Sequence, residues 1–198
     1  TDTLVVHGEK QGRIALHATG IHNVMNSLSV IAVADFLGID RKYTKAGLEK
    51  CSSAHRRFEH KGVTANGVKI VDDYAHHPTE IAATLAAAKN TPHRELWCIF
   101  QPHTYSRTKA LLDEFGQALS VCDHVILADI YAAREKDTGI VSSKDVCDKI
   151  NAHGGHAIYL GDFDSIADFV EKNCKKNDLL ITMGAGNVDS IGNTLLKN

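Results

Sequence analysis

Between residues 70 and 80 the chain reads Ile-Val-Asp-Asp-Tyr-Ala-His-His-Pro-Thr-Glu. An apolar run ends there in Asp72, Asp73, Tyr74, His76 and His77, and Pro78 suits the first turn of a helix. Two carboxylates, a phenol and two imidazoles thus gather at the carboxyl end of a strand, where open α/β sheets bind their ligands. The plainer reading is a helix cap followed by a solvated loop. A metal held by His76 and His77 is disfavoured, because adjacent residues do not converge on one ion as an i, i+4 pair does.

Three further loops carry functional groups. Phe100-Gln-Pro-His-Thr-Tyr-Ser-Arg-Thr108 puts His103 and Arg107 four residues apart at a helix start, where both can point the same way. A guanidinium there matches a carboxylate or a phosphate with two parallel hydrogen bonds. Asp129-Ile-Tyr-Ala-Ala-Arg-Glu135 is weaker, since an Arg134–Glu135 pair reads as a solvated face. Met183-Gly-Ala-Gly-Asn187 places small residues where backbone N–H groups can approach an anion, although glycine is also an ordinary turn residue. These loops follow successive strands, so they can converge on one edge.

The elements that position them alternate. From about residue 57 onward the pattern predicts a hairpin over 57–72, turned at Asn66-Gly67. Helices follow over 79–89, 106–119, 142–150, 162–173 and 187–196, and strands over 96–100, 125–128, 156–160 and 179–183. Strands alternating with helices mean a parallel, doubly wound sheet, and runs as apolar as Leu-Leu-Ile-Thr-Met fit strands buried on both faces. Ahead of this lie a hairpin over 1–7 and 13–17 with its turn in 8–12, and a helix over 20–38. In that helix Val24, Leu28, Ile31, Ala32, Ala34, Phe36 and Leu37 make a wide buried stripe. A second helix covers 42–52, with Thr44 as an early cap. The boundary between the two parts is expected near Ala54, giving domains 1–54 and 55–198.

Composition narrows the function classes. With 198 residues, 43% hydrophobic and 23% charged, the chain has the make-up of an ordinary globular protein with a normal core. A net charge of −2 supplies no basic field for nucleic acid. The longest apolar run, residues 24–37, is interrupted by polar side chains and is too short for a membrane span; no signal peptide opens the sequence, so a cytoplasmic location is the default expectation. Five scattered cysteines without a Cys-x-x-Cys pair argue against a disulfide framework or a zinc ribbon. Gly184-x-Gly186 comes at the last strand and lacks a third glycine, which disfavours a nicotinamide-binding site.

Gly20-Ile-His-Asn-Val-Met-Asn26, Arg56-Arg-Phe-Glu59, Val71-Asp-Asp-Tyr-Ala-His-His-Pro-Thr-Glu80, the His103–Arg107 loop and Met183-Gly-Ala-Gly186 together resemble the Mur ligases, in order and over nearly the whole chain. The aspartate–tyrosine–histidine and histidine–arginine loops resemble most the branch that adds L-alanine. The resemblance implies a Rossmann-like amino-acid-binding domain over 55–198, preceded by the end of an ATP-binding domain over 1–54. No phosphate loop of the Gly-x-x-Gly-Lys-Thr kind occurs, so the chain is expected to be a fragment, inactive alone. The family phosphorylates the carboxylate of UDP-N-acetylmuramate with ATP and Mg2+; an amine then attacks the acyl phosphate. By resemblance, His22, Asn23 and Asn26 lie at the adenine, Arg57 at the phosphates and Asp73 at the ribose; Asp72 is the less favoured of the pair, with a helix cap as its alternative role. Tyr74, His76, His103 and Arg107, with Gly184 and Gly186, line the substrate site, and Arg57, His76 and His103 are the catalytic candidates. Either histidine can take the proton of the amine. Metal ligands are expected upstream. The expected partners are L-alanine, UDP-N-acetylmuramate and ATP, with a homodimer through exposed edges. A peptide-adding relative and a non-catalytic binding module are the alternatives.

Overall fold

The computed structural model describes residues 2–6, 9–16, 21–51 and 55–197; for residues 2–11 and His22 the description stops at the backbone. The chain divides into two compact units, Thr1–His55 and Arg56–Asn198. Ala54, the expected boundary, lies outside the described residues, as do His7, Gly8 and His17 of the expected first hairpin.

In the first unit, β1 (Asp2–Val6) and β2 (Glu9–Ile14) pair as an antiparallel hairpin. The second strand starts earlier than the expected turn over 8–12 allows. Helices α1 (Ile21–Phe36) and α2 (Arg41–Lys50) follow. The cap of α2 is Asp40, whose Oδ1 accepts the Lys42 N–H at 2.9 Å; Thr44 is already inside the helix and caps nothing. The wide buried stripe expected on α1 is not formed. Ile31 and Ala34 are buried, but Leu28, Phe36 and Leu37 are exposed, Phe36 to 90%. A two-stranded hairpin and one short helix present too little surface to cover so broad an apolar face.

The second unit opens with β3 (Glu59–Val63) and β4 (Lys69–Asp73), an antiparallel pair whose turn uses Gly67 at φ +82°. Then come α3 (Pro78–Lys89), β5 (Leu96–Phe100), α4 (Tyr105–Ala110), α5 (Leu112–Leu119), β6 (His124–Ala128), α6 (Ser143–Ala152), β7 (Ala157–Gly161), α7 (Phe163–Asn173), β8 (Leu179–Met183) and α8 (Asp189–Leu195). The six strands order as β3-β4-β8-β5-β6-β7, with β4 through β7 parallel and β3 an antiparallel edge. This is the mostly parallel α/β sheet expected. The helix expected over 106–119 is broken at Leu111, whose φ of −117° leaves the helical region, so α4 is a separate short turn beside the loop.

Burial follows the two-residue period of the strands. Val71, Cys98, Phe100, Val125, Leu127, Ile181 and Met183 pack on one face with Ile81 and Leu85 of α3, Phe115 and Leu119 of α5, and Val146 and Ile150 of α6. Ile70, Trp97, Ile99, Ile126 and Leu180 pack on the other with Ile166 and Val170 of α7 and Ile191 and Leu195 of α8. A sheet covered on both sides keeps its polar side chains at the strand ends, which brings the four loops to one edge. Among the described residues no helix is long and apolar enough to cross a membrane.

Candidate active site

The edge is built on a tight turn at Arg56-Arg57-Phe58. Arg56 (φ +57°) and Phe58 (φ +48°) sit in the left-handed region that side chains avoid, so the surroundings must hold them. They do. The Arg56 N–H donates to Glu59 Oε2 at 2.7 Å, the Phe58 N–H to Asp73 Oδ2 at 2.8 Å, and the Tyr74 N–H to the Arg56 carbonyl at 2.7 Å. Arg56 reaches across the sheet end: Nε donates to Asp72 Oδ2 at 2.7 Å, and Nη1 and Nη2 donate to the carbonyls of Gly186 and Gly184, both at 2.8 Å. Asp72 also accepts from Thr182 Oγ1 at 2.7 Å. The cap of α3 expected of Asp72 belongs to His77, whose Nδ1 accepts the Thr79 N–H at 3.3 Å. Asp72 is instead the buried partner of Arg56, tying β4 to β8.

Arg57 is the arginine left outward. Half its side chain is exposed, and among the described residues its ion pair is a long one, 3.7 Å to Glu80 Oε1. Asp73 is 4% exposed and engaged at both oxygens: Oδ1 accepts the Ala75 N–H at 2.8 Å and Oδ2 the Phe58 N–H. Burial raises its pKa above the usual carboxylate value, against the pull of those N–H groups, Thr84 and Arg57. Within the chain Asp73 clasps the arginine turn to the loop that leads into α3. A ribose diol would have to share oxygens that are already bonded.

Rings line the rest of the edge. Arg56 lies over Tyr74, 5.2 Å from its centroid; Tyr74 meets His76 edge-on at 5.4 Å; His76 meets His103 at 5.8 Å; His103 stacks on Tyr131 at 5.6 Å. The loops after β5 and β6 are laced by backbone bonds, Thr104 N–H to the Tyr131 carbonyl and Tyr131 N–H to the Pro102 carbonyl, each 2.9 Å. Arg107 Nη1 stands 3.4 Å from His103 Nδ1. Burial, then the charge of Arg107 and that of His76 whenever it is protonated, push the His103 pKa down. So Tyr74, His76, His103 and Arg107 come together, and Tyr131, from the loop given least weight in the sequence, joins them.

The last-strand glycines are small for a packing reason. A Cβ on Gly184 would lie 2.7 Å from the Gln101 carbonyl oxygen, and one on Gly186 would strike the Gln101 amide and lie 2.8 Å from the Tyr131 ring. Gln101 is 5% exposed, and its Nε2 donates to Asn187 Oδ1 at 3.2 Å. Glu135 does not pair with Arg134; it accepts the Ser106 N–H at 2.9 Å and the Ser106 hydroxyl, capping the start of α4. Glu80, which ends the Val71–Glu80 motif but is given no role by the sequence, also joins the edge. Burial favours its neutral form, but the N–H of His76, the charges of His76 and Arg57 and the N–H of His77 outweigh that and lower its pKa, so it stays a carboxylate. In the first unit, Asn23 and Asn26 occupy the first turns of α1, with Asn26 exposed; the His22 side chain lies outside the described residues.

Among the described residues no three His, Cys, Asp or Glu side chains group as a metal centre.

Known proteins share both the sequence and the fold. The model of the Mur ligase, glutamate ligase domain, matches residues 56–186. A UDP-N-acetylmuramate–L-alanine ligase from Lachnospira eligens is 52% identical over 197 residues, which is 100% of this chain and 43% of that protein. The solved UDP-N-acetylmuramate-alanine ligase of Thermotoga maritima superposes with a TM-score of 0.79 at 27% identity, over 96% of this chain and 40% of that one. A murein peptide ligase from Psychrobacter arcticus superposes with a TM-score of 0.70 at 28% identity, over 93% and 38%. The chain thus spans about two fifths of the length of such relatives. With the match extending over most of the second unit, the chain belongs to the Mur ligase family.

Proposed function

We propose that the chain is part of an ATP-dependent ligase that joins L-alanine to UDP-N-acetylmuramate through an acyl phosphate. The observation that carries this reading is the convergence of Tyr74, His76, His103 and Arg107 on one sheet edge, beside an exposed Arg57. A small zwitterion needs a cation for its carboxylate and a proton acceptor near its amine, held in fixed geometry. Arg107 is the carboxylate partner. Arg57 meets the negative charge that gathers on the transferring phosphoryl group. Gly184 and Gly186 contribute by letting the last loop close on Gln101 and Tyr131.

Residues 1–54 act as the end of the ATP-binding domain, with His22, Asn23 and Asn26 toward the adenine; residues 55–198 act as the amino-acid-binding domain. Asp73 is retained as a nucleotide contact through its remaining lone pairs. Mg2+ belongs to the complete enzyme, where it would screen phosphate charge. The setting is the bacterial cytoplasm. The apolar side of α1 suits either the rest of its own domain or a second copy of the chain.

The test is a ligase assay of the complete polypeptide, this sequence joined to the preceding segment that its relatives carry. It is run with UDP-N-acetylmuramate, ATP and L-Ala, L-Ser, Gly or a murein tripeptide. Product with L-alanine preferred supports the reading, and no activity from the 198-residue chain alone supports the fragment assignment. Product only with the tripeptide transfers the chain to the peptide-adding branch; nucleotide binding without product leaves a binding module.

A further inference from the structure

The two histidines of the edge are not interchangeable. His76 Nδ1 lies 3.0 Å from the Tyr74 carbonyl oxygen. A carbonyl only accepts, so Nδ1 carries the hydrogen and Nε2 holds the lone pair. His103 has the reverse arrangement. Its Nδ1 faces Arg107 Nη1 at 3.4 Å, and a guanidinium only donates, so Nδ1 holds the lone pair and Nε2 carries the hydrogen. Behind His76 stands Glu80: its Oε2 lies 3.5 Å from His76 Nδ1 and accepts the His76 backbone N–H at 3.1 Å. The other charged groups around His76 are Arg57, 3.7 Å from Glu80 Oε1, and Arg107 beyond His103; the Tyr74 ring packs at its edge.

We propose that His76 Nε2 is the proton acceptor for the incoming amine, that Glu80 positions His76 and balances the imidazolium that forms, and that His103 Nε2–H acts with Arg107 as a donor pair for the amino-acid carboxylate. This rests on the ligase reading above. An imidazole with its Nδ1–H directed at an oxygen and a carboxylate behind it is the arrangement that activates a nucleophile. His103 is excluded as the base because its one lone pair is turned toward Arg107. The ammonium first gives one proton to His76 Nε2. Its freed lone pair attacks the acyl carbon and forms the C–N bond while the carbonyl π pair moves to oxygen. That pair returns as the C–O bond to phosphate breaks, and the bond's electrons leave with the phosphate. The second nitrogen proton departs to the released phosphate, and His76 returns its proton to solvent.

Two measurements test this. In this chain, long-range proton–nitrogen NMR of the ring nitrogens at neutral pH should find His76 protonated at Nδ1 and His103 at Nε2. Either ring in the opposite form overturns the assignment. In the complete polypeptide, amide formation from L-alanine is compared with hydroxamate formation from hydroxylamine, a nucleophile that is already a free base at neutral pH. His76→Gln should slow the amide at least about a hundredfold more than the hydroxamate, and Glu80→Gln roughly tenfold more. The amide introduced by Glu80→Gln keeps an oxygen for the His76 N–H, so a role confined to capping α3 predicts no such split. Equal losses of both products in the folded variants overturn the proposal and leave the ligase reading standing. A wild-type protein that makes neither product overturns both, and if His76→Gln does not fold, the ring NMR and Glu80→Gln decide.

Discussion

At the scale of single residues, neighbouring side chains of one type do different work. Arg56 is 12% exposed and spends its donors on Asp72 and two backbone carbonyls, whereas Arg57 is half exposed and pairs with Glu80 at the longer distance of 3.7 Å. Asp72 bonds to side chains, Asp73 to backbone N–H groups. His77 caps a helix while His76 turns its Nδ1 to the Tyr74 carbonyl and packs its ring on Tyr74 and His103. The sequence shows the doublets Arg-Arg, Asp-Asp and His-His but has no signal for their division, since residues i and i+1 face opposite ways in a strand and the turn geometry sets the rest. Arg107 carries a prediction at this scale. In the complete enzyme, Arg107→Ala should raise KM for alanine roughly tenfold or more and leave KM for ATP within about twofold, as steady-state kinetics would record. Equal changes in both would take Arg107 out of the amino-acid pocket.

At the scale of elements, the site depends on ties between strand ends. The Asp72–Arg56 pair joins β4 to the loop after β8, and the Thr104–Tyr131 and Pro102–Tyr131 bonds join the loops after β5 and β6. Breaking a buried ion pair by removing one partner costs about 3 kcal/mol. Asp72→Ala should therefore lower the Tm of the chain by roughly 6 to 12 °C in a thermal melt. Arg57→Ala, an exposed change, should cost less than about 0.5 kcal/mol. A similar loss in both would mean that the Arg56 clasp contributes little. Element type and order were readable because the apolar periods are strong. The break at Leu111 was not readable: residues 106–119 keep a helical pattern throughout, and the interruption shows only in the backbone angles of Leu111.

At the scale of the whole molecule, the two units stand differently with respect to burial. The second has an apolar core on both faces of its sheet, with Ile70, Val71, Phe100, Phe115 and Leu127 fully covered. The first exposes Met25, Val30, Val33 and Phe36 along α1, and Leu37 just beyond it. Apolar side chains collected on one helix face drive association in water. In sedimentation runs over a range of concentrations the 198-residue chain should therefore self-associate, while residues 56–198 alone should stay monomeric and melt cooperatively. Association persisting without the first unit would point to the β3 edge instead. The sequence alone determined the α/β class, the strand and helix order, the polar loops at the strand ends and the family, because hydrophobic period and short motifs are local properties. Only the tertiary structure decided which member of each doublet is buried, which ring nitrogen carries hydrogen, and that Tyr131, Gln101 and Glu80 belong to the edge. Those outcomes depend on contacts between loops far apart in the chain, such as Arg56 with Gly184 and His103 with Tyr131, and no local pattern encodes them.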